Sequence, residues 1–194
     1  MTDQGTKVNT RALALDFLLE TAEKGGYSHV VMRGMLEKYQ YLDKKERAFL
    51  TRLSEGTLER MLEMDAIIDK FSKVPVKKMK PVIRNLLRLS VYQLKYMDQI
   101  PDSAVCNEAV KLAQKKGFSS LKGFVNGVMR NVARKKEEIT YPDAKTSPAE
   151  YLSVYYSVPQ WLVERWVKAY GTETTEGMLK DFLTDHPRTI RCQL

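Results

Sequence analysis

The stretch Val82-Ile-Arg-Asn-Leu-Leu-Arg-Leu-Ser-Val-Tyr-Gln-Leu-Lys-Tyr-Met97 decides the fold class. Its apolar residues Ile83, Leu86, Leu87, Val91 and Leu94 recur close to the spacing of one helix face. Pro81 precedes it and suits the first helical turn, where a missing N–H leaves nothing unpaired. Working toward the N-terminus, Asp65 to Phe71 is helical (Ile67, Ile68, Phe71) until Pro75 interferes. Asp43 can cap a helix running through Phe49, Leu50, Leu53, Leu58 and Leu62. Ser28 can cap another through about Tyr39, with Val31, Met35 and Leu36 inside. Arg11 to Glu20 is apolar through Ala12, Leu15, Phe17, Leu18 and Leu19, and Gly25-Gly26 stops it.

Working toward the C-terminus, Pro101 ends the connection after Met97. Asp102 or Ser103 caps a helix through Val110 to about Lys115, ended by Gly117. Phe118 to about Lys136 forms the next, with Phe124, Val125, Val128, Met129 and Val132 inside. No run alternates with period two over a useful length, so the expectation is an all-α bundle of about seven helices over residues 1–140. Residues 141–148 read as a linker by composition. Ala149–Tyr156, Trp161–Tyr170 and Thr174–Thr184 read as short helices, the second bounded by Pro159 and Gly171. Pro187 to Leu194 reads as the start of a strand. A lone terminal strand cannot satisfy its own backbone groups, so the chain is expected to be the front part of a longer protein.

Composition excludes several classes. The 194 residues suffice for one domain and a fragment of another. With 43% hydrophobic residues the chain is globular. Cys106 and Cys192 lie far apart, which argues against a zinc site or a disulfide framework. No stretch approaches the roughly 18 uninterrupted apolar residues of a membrane span. The polar N-terminus is not a secretory signal. The chain therefore reads as cytoplasmic, with no membrane partner.

Thirty-two Lys+Arg against 24 Asp+Glu give a net charge of +8. Its distribution says more. Residues 1–140 hold 26 basic and 17 acidic side chains, and residues 141–194 hold 6 and 7. Two windows, Lys70–Met97 and Ala109–Lys136, contain eight basic residues each and no acid. Such windows lack the interleaved acids of surface ion pairs. They read either as a solvated basic face or, as we prefer, as a phosphate-contacting surface.

Catalytic constellations are missing. Glu137 and Glu138 are adjacent and diverge. His29 and His186 have no placeable nucleophile beside them and read as structural. Cys106 reads as a buried small hydrophobe. Gly123 and Gly127, four apart, read as a site of close helix packing. No metal set and no phosphate-cradling glycine loop is present.

Three segments go beyond generic helices: Val82–Met97 with Ile100-Pro101, then Ala104-Val-Cys-Asn-Glu-Ala-Val-Lys-Leu-Ala113, then Phe124-Val-Asn-Gly-Val-Met-Arg130. In this order they resemble the NusB-like family of all-helical RNA-binding domains, and Arg11 to Leu15 and Arg47 to Gly56 fit the same pattern. The resemblance covers about residues 6–136. Tyr156 to Gly171 is similar to the segment that joins such a domain to the catalytic part of RsmB/Sun-type small-subunit rRNA cytosine-5 methyltransferases. His186 to Gln193 is similar to the first strand of their catalytic half. Val158 stands where His is usual, and Cys192-Gln193 where Val-Asn is commoner.

The resemblance implies a full-length enzyme that uses S-adenosylmethionine, with a thiolate nucleophile in a Pro-Cys motif. Neither cysteine here follows a proline. No catalytic residue is therefore assigned, and no cofactor and no enzymatic activity are expected of this chain. What remains is RNA binding and substrate positioning. The partners are small-subunit rRNA and the protein's own methyltransferase domain, and an exposed Trp161 or Trp166 would favour self-association. The expected RNA contacts are Lys7 and Arg11 at the first helix, Arg84 and Arg88 at i, i+4, Lys115, Lys116 and Lys122 around a loop, and Arg130, Arg134, Lys135 and Lys136. Internal pairing competes for Arg84 and Arg88, and the helix dipole competes for the last group. Tyr39 and Tyr41 either stack on bases or pack. The alternative is a free-standing antitermination factor that binds RNA and a ribosomal protein.

Overall fold

The computed structural model describes residues 8–184. Two compact units divide the chain, Met1–Ile139 and Thr140–Leu194.

In the first unit, seven α-helices among the described residues pack into one core. α1 (Thr10–Leu18) starts where Asn9 accepts a hydrogen bond from the Ala12 N–H, and its end widens into a π turn over Leu19–Glu23. Gly25, at φ +76°, then reverses the chain in a conformation other residues rarely adopt. α2 (Ser28–Lys38) has Tyr27 at its N-cap position. Ser28 is thus already helical and makes no cap, while Val31, Met35 and Leu36 pack half-buried against the core as expected and Met32 is buried beside them. α3 (Lys44–Glu59) has the expected cap, a reciprocal box in which Asp43 accepts from the Glu46 N–H and Glu46 from the Asp43 N–H. Arg60 separates it from α4 (Met61–Phe71).

α5 (Pro81–Tyr96) is the central helix, packed against α1, α3, α4, α6 and α7. It is buried nearly all round, beyond the single apolar stripe its sequence displays. Asn85, Arg88, Ser90 and Gln93 are inside as well as Leu86, Leu87 and Leu94. Ser90 donates to the Leu86 carbonyl and Gln93 to the Leu89 carbonyl, so these polar groups are satisfied along the helix itself. One helix crossing is very close. At Gly56 of α3, an added Cβ would run into the Tyr92 hydroxyl.

α6 (Asp102–Lys115) has Pro101 at its cap position, so Asp102 is its first residue and its carboxylate pairs with Lys136 instead of capping. Gly117, at φ +85°, ends it. After a 3₁₀ turn at Ser119–Leu121 comes α7 (Lys122–Arg134), with Val125, Val128, Met129 and Val132 buried. Cys106 lies in the core, and burial pushes its thiol up, away from the reactive thiolate.

The second unit contains α8 (Pro148–Tyr156), α9 (Gln160–Tyr170) and α10 (Thr172–Asp181). They close on Leu152, Tyr156, Val163 and Leu179. Trp161 is exposed, whereas Trp166 packs on this cluster and against Phe182. No strand occurs among the described residues, and the strand expected from Pro187 onward lies outside them. No helix among them is long and apolar enough to cross a membrane.

Candidate nucleic-acid interface

Once the partners of the cations are known, some of those in the basic windows prove to be spent inside the fold and others remain on the surface, among them Lys78 and Lys80 of the first window. Arg84 grips Glu23 through Nε and Nη2, and Asn85 donates to the same carboxylate at 2.6 Å. Arg88 binds Asp65 bidentately, at 2.6 and 2.7 Å, and donates to the Asn85 side-chain carbonyl at 3.0 Å. Lys95 and Tyr96 both donate to the buried Glu63 carboxylate at 2.7 Å. The hydrogen bonds from Arg84 hold the Glu23 carboxyl below its ordinary value against the opposing effect of burial. Arg84 and Arg88 are therefore structural forks that lock α5 to the end of α1 and to α4. They are not displayed to a ligand.

Arg11 is also engaged. It donates to the Gln93 side chain at 2.7 Å and lies 5.2 Å from the centre of the Phe49 ring. Burial lowers its pKa from the ordinary guanidinium value. Lys116 pairs with Asp16, Lys135 with Glu138, and Lys136 with Asp102. Lys7 lies outside the described residues.

In the second window, Lys115, Lys122, Arg130 and Arg134 are all exposed and form no ion pair among the described residues. Helical spacing aligns them. Asn107, Lys111 and Lys115 recur every four residues on α6, and Lys122, Asn126, Arg130 and Arg134 do so on α7. The two ladders flank a groove of about 430 Å³ lined by Asn107, Lys111, Lys122, Asn126 and Arg130 with Val110 and Gly123. Lys111 alone of these cations has a carboxylate, Glu108, at 3.0 Å.

Gly123 and Gly127 do not mediate helix packing. A Cβ on either would meet nothing within 4 Å. They lie on the exposed side of α7, so the ridge beside the groove is backbone. The groove presents cations and amide side chains, which suit phosphate and sugar oxygens. Sequence reasoning named Lys115, Lys122, Arg130 and Arg134 but missed Lys111, Asn107 and Asn126. The fourfold spacing from Lys122 to Arg134 is the signal that could have found Asn126.

The cleft between α2 and α3 is less suited to a polyanion. Its volume is about 600 Å³, and it mixes Arg33 and Arg47 with Glu37 and Glu55. His29, exposed at that cleft, lies beside Tyr27 rather than in the core, so it is not the structural histidine its sequence context indicates. Tyr39 packs on the core and against Tyr41, which is exposed. Among the described residues no group of His, Cys, Asp or Glu could hold a metal ion.

Comparison with known proteins places this geometry. Residues 8–134 match the NusB family. Over 185 residues the chain is 35% identical to a probable ribosomal RNA small subunit methyltransferase B of Bacillus subtilis (strain 168), covering 95% of this chain and 40% of that protein. The chain spans about 40% or less of the length of the curated relatives it matches. The bundle superposes on a chain of a crystal structure of antitermination factors NusB and NusE in complex with dsRNA, with a TM-score of 0.59 and 23% identity. That match covers 64% of this chain and 93% of the other. The protein PH0851 aligns over 93% of this chain and 40% of its own, with a TM-score of 0.68 and 17% identity.

Proposed function

Because this chain belongs to the NusB family through residues 8–134, we propose that its first unit binds and positions RNA for a small-subunit rRNA methyltransferase acting at cytosine C5. The observation that carries this reading is the α6–α7 groove, lined by the exposed Lys122 and Arg130, with Lys115 and Arg134 exposed on the same two helices, and none of the four has a carboxylate partner among the described residues. Cations in this state gain from releasing the counterions of a polyanion, and paired cations do not. The names of the relatives supply the substrate class.

S-adenosylmethionine would be the methyl donor of the whole enzyme. The described residues do not fit it, since they include no strand leading into a glycine-rich turn. That chemistry would belong to the part of such an enzyme that the match does not span. The reading as a free-standing antitermination factor is less favoured. The alignment to the methyltransferase runs through 95% of the chain, past residue 134 and into the second unit. That unit would join the RNA-binding bundle to the enzyme's own catalytic region.

The test is equilibrium binding of this chain to a small-subunit rRNA stem–loop across salt concentrations. Four phosphate contacts give a slope near −3 in log K against log salt, or about a 60-fold loss of affinity from 50 to 200 mM. Replacing Lys115, Lys122, Arg130 and Arg134 together by Gln should remove most of that slope. Lys24→Gln, on a cation already paired with Glu20, should not. An unchanged slope in the quadruple variant, or no binding at 50 mM, would refute the reading.

A further inference from the structure

We propose that the first unit also contains a slot for one unstacked nucleobase, where the α4–α5 connection meets the start of α7. This deepens the RNA-binding reading and rests on it. The cavity there has a volume of about 270 Å³. Val74, Met79, Ile83, Leu121 and Phe124 form its apolar walls, and the exposed Lys78 and Lys80 complete the lining. Met79 and Ile83 are buried and belong to the core, so the slot has a rigid floor. Its outer wall is a fixed turn. Ser72 Oγ donates to the Val74 carbonyl and accepts from the Val74 N–H, which holds Val74 at the mouth.

The lining decides between occupants. Five apolar side chains and the stems of two lysines form it, and no carboxylate does. Neither Lys78 nor Lys80 forms an ion pair among the described residues, and Lys80 is held 5.5 Å over the Phe118 ring. A small apolar cavity beside uncompensated positive charge complements a flat apolar ring tethered to anions, which is a nucleobase with its phosphates. The volume falls below the roughly 300–1,000 Å³ of sites for drug-sized ligands, so a single ring system is the right scale. Phe124 contributes an aromatic ring to the lining, and the walls offer few polar groups to read a base edge. The slot therefore takes an unpaired base with little sequence preference. Leu121 and Phe124 wall this slot while Lys122, Gly123 and Asn126 line the α6–α7 groove, so the two features flank the start of α7. Phosphates on one side and an extruded base on the other describe a single strand crossing that helix.

The experiment uses the whole chain and two probes of equal length, a 4-thiouridine-containing single strand and a perfect RNA duplex. Stacking of one base predicts at least about fivefold preference for the single strand. Photo-crosslinks should map to the peptides holding Val74, Leu121 and Phe124. Val74→Glu and Val74→Lys both obstruct the mouth at an exposed position, and both should abolish the preference. If charge alone mattered, the two variants would shift affinity for both probes in opposite directions and leave the preference intact, which would overturn the slot. Crosslinks confined to α1 or α2 would overturn it too, while binding to both probes persisted. Failure of the unaltered chain to bind either probe would instead bring down the RNA-binding reading, and the slot with it. Urea unfolding of each variant separates obstruction from misfolding, and agreement of the Glu and Lys variants is required.

Discussion

Arg88→Met distinguishes a structural arginine from a phosphate-contacting one. The Arg88 guanidinium is largely buried, with Nε and Nη2 at 2.6 and 2.7 Å from the Asp65 carboxylate and Nη1 at 3.0 Å from the Asn85 side-chain oxygen. Removing one member of a buried pair costs about 3–5 kcal/mol, because the other charge is left without compensation. The Asp65 side chain keeps 24% of its exposure, and water can re-solvate part of that charge. The expected loss is therefore at the low end, about 3 kcal/mol, a large part of the roughly 5–15 kcal/mol that holds a domain together. Urea unfolding followed by far-ultraviolet circular dichroism measures it. Adding Asp65→Leu should recover part of the loss, because the orphaned carboxylate goes with its partner. The salt slope of RNA binding, measured under folding conditions, should not change. A stability loss below about 1 kcal/mol, together with a shallower salt slope, would refute the reasoning and return Arg88 to the RNA surface.

Two further outcomes follow from local geometry. Gly56→Ala should destabilise the first unit by about 1–2 kcal/mol, since forcing Tyr92 aside outweighs the helix-propensity gain of about 1 kcal/mol. Gly34→Ala, in α2 with nothing within 4 Å of the new Cβ, should stabilise it in the same urea assay, and equal effects of the two would contradict the packing described. The acid limb of stability should depend on Glu23. Its folded pKa lies below the ordinary 4.5, so its contribution is present above that value and is lost as pH falls through the folded pKa. Glu23→Gln should flatten the stability profile below about pH 4.5, and parallel profiles for variant and unaltered chain would rule out the Arg84–Glu23 grip as the cause.

Much of the helix pattern was legible because its signals are local. The Asp43/Glu46 box, Pro81 in a first turn and Gly117 at a helix end act within a few residues of the chain. Ser28 and Asp102 misled for the same reason in reverse. A Ser or Asp can cap only with extended backbone, and here the helix had already started at each of them. The glycine pair at 123 and 127 fits packing or exposure equally well, and only the neighbouring helices show that it is exposed.

By itself, the sequence determined an all-α chain with its positive charge confined to the first 140 residues, and the family resemblance that points to RNA. Helical period, breakers and charge count are properties of neighbouring residues, so they can be read along the chain. Which cations remain available was decided only by the tertiary structure. Arg84 and Arg88 sit in a window without a single acid, yet Glu23 and Asp65 reach them from more than twenty residues away and neutralise them in the interior. Lys115, Lys122, Arg130 and Arg134 come from an equally basic window and meet no carboxylate among the described residues. Whether a cation is free depends on what lies within a few ångströms in space. Packing brings those groups together, and sequence separation says nothing about them.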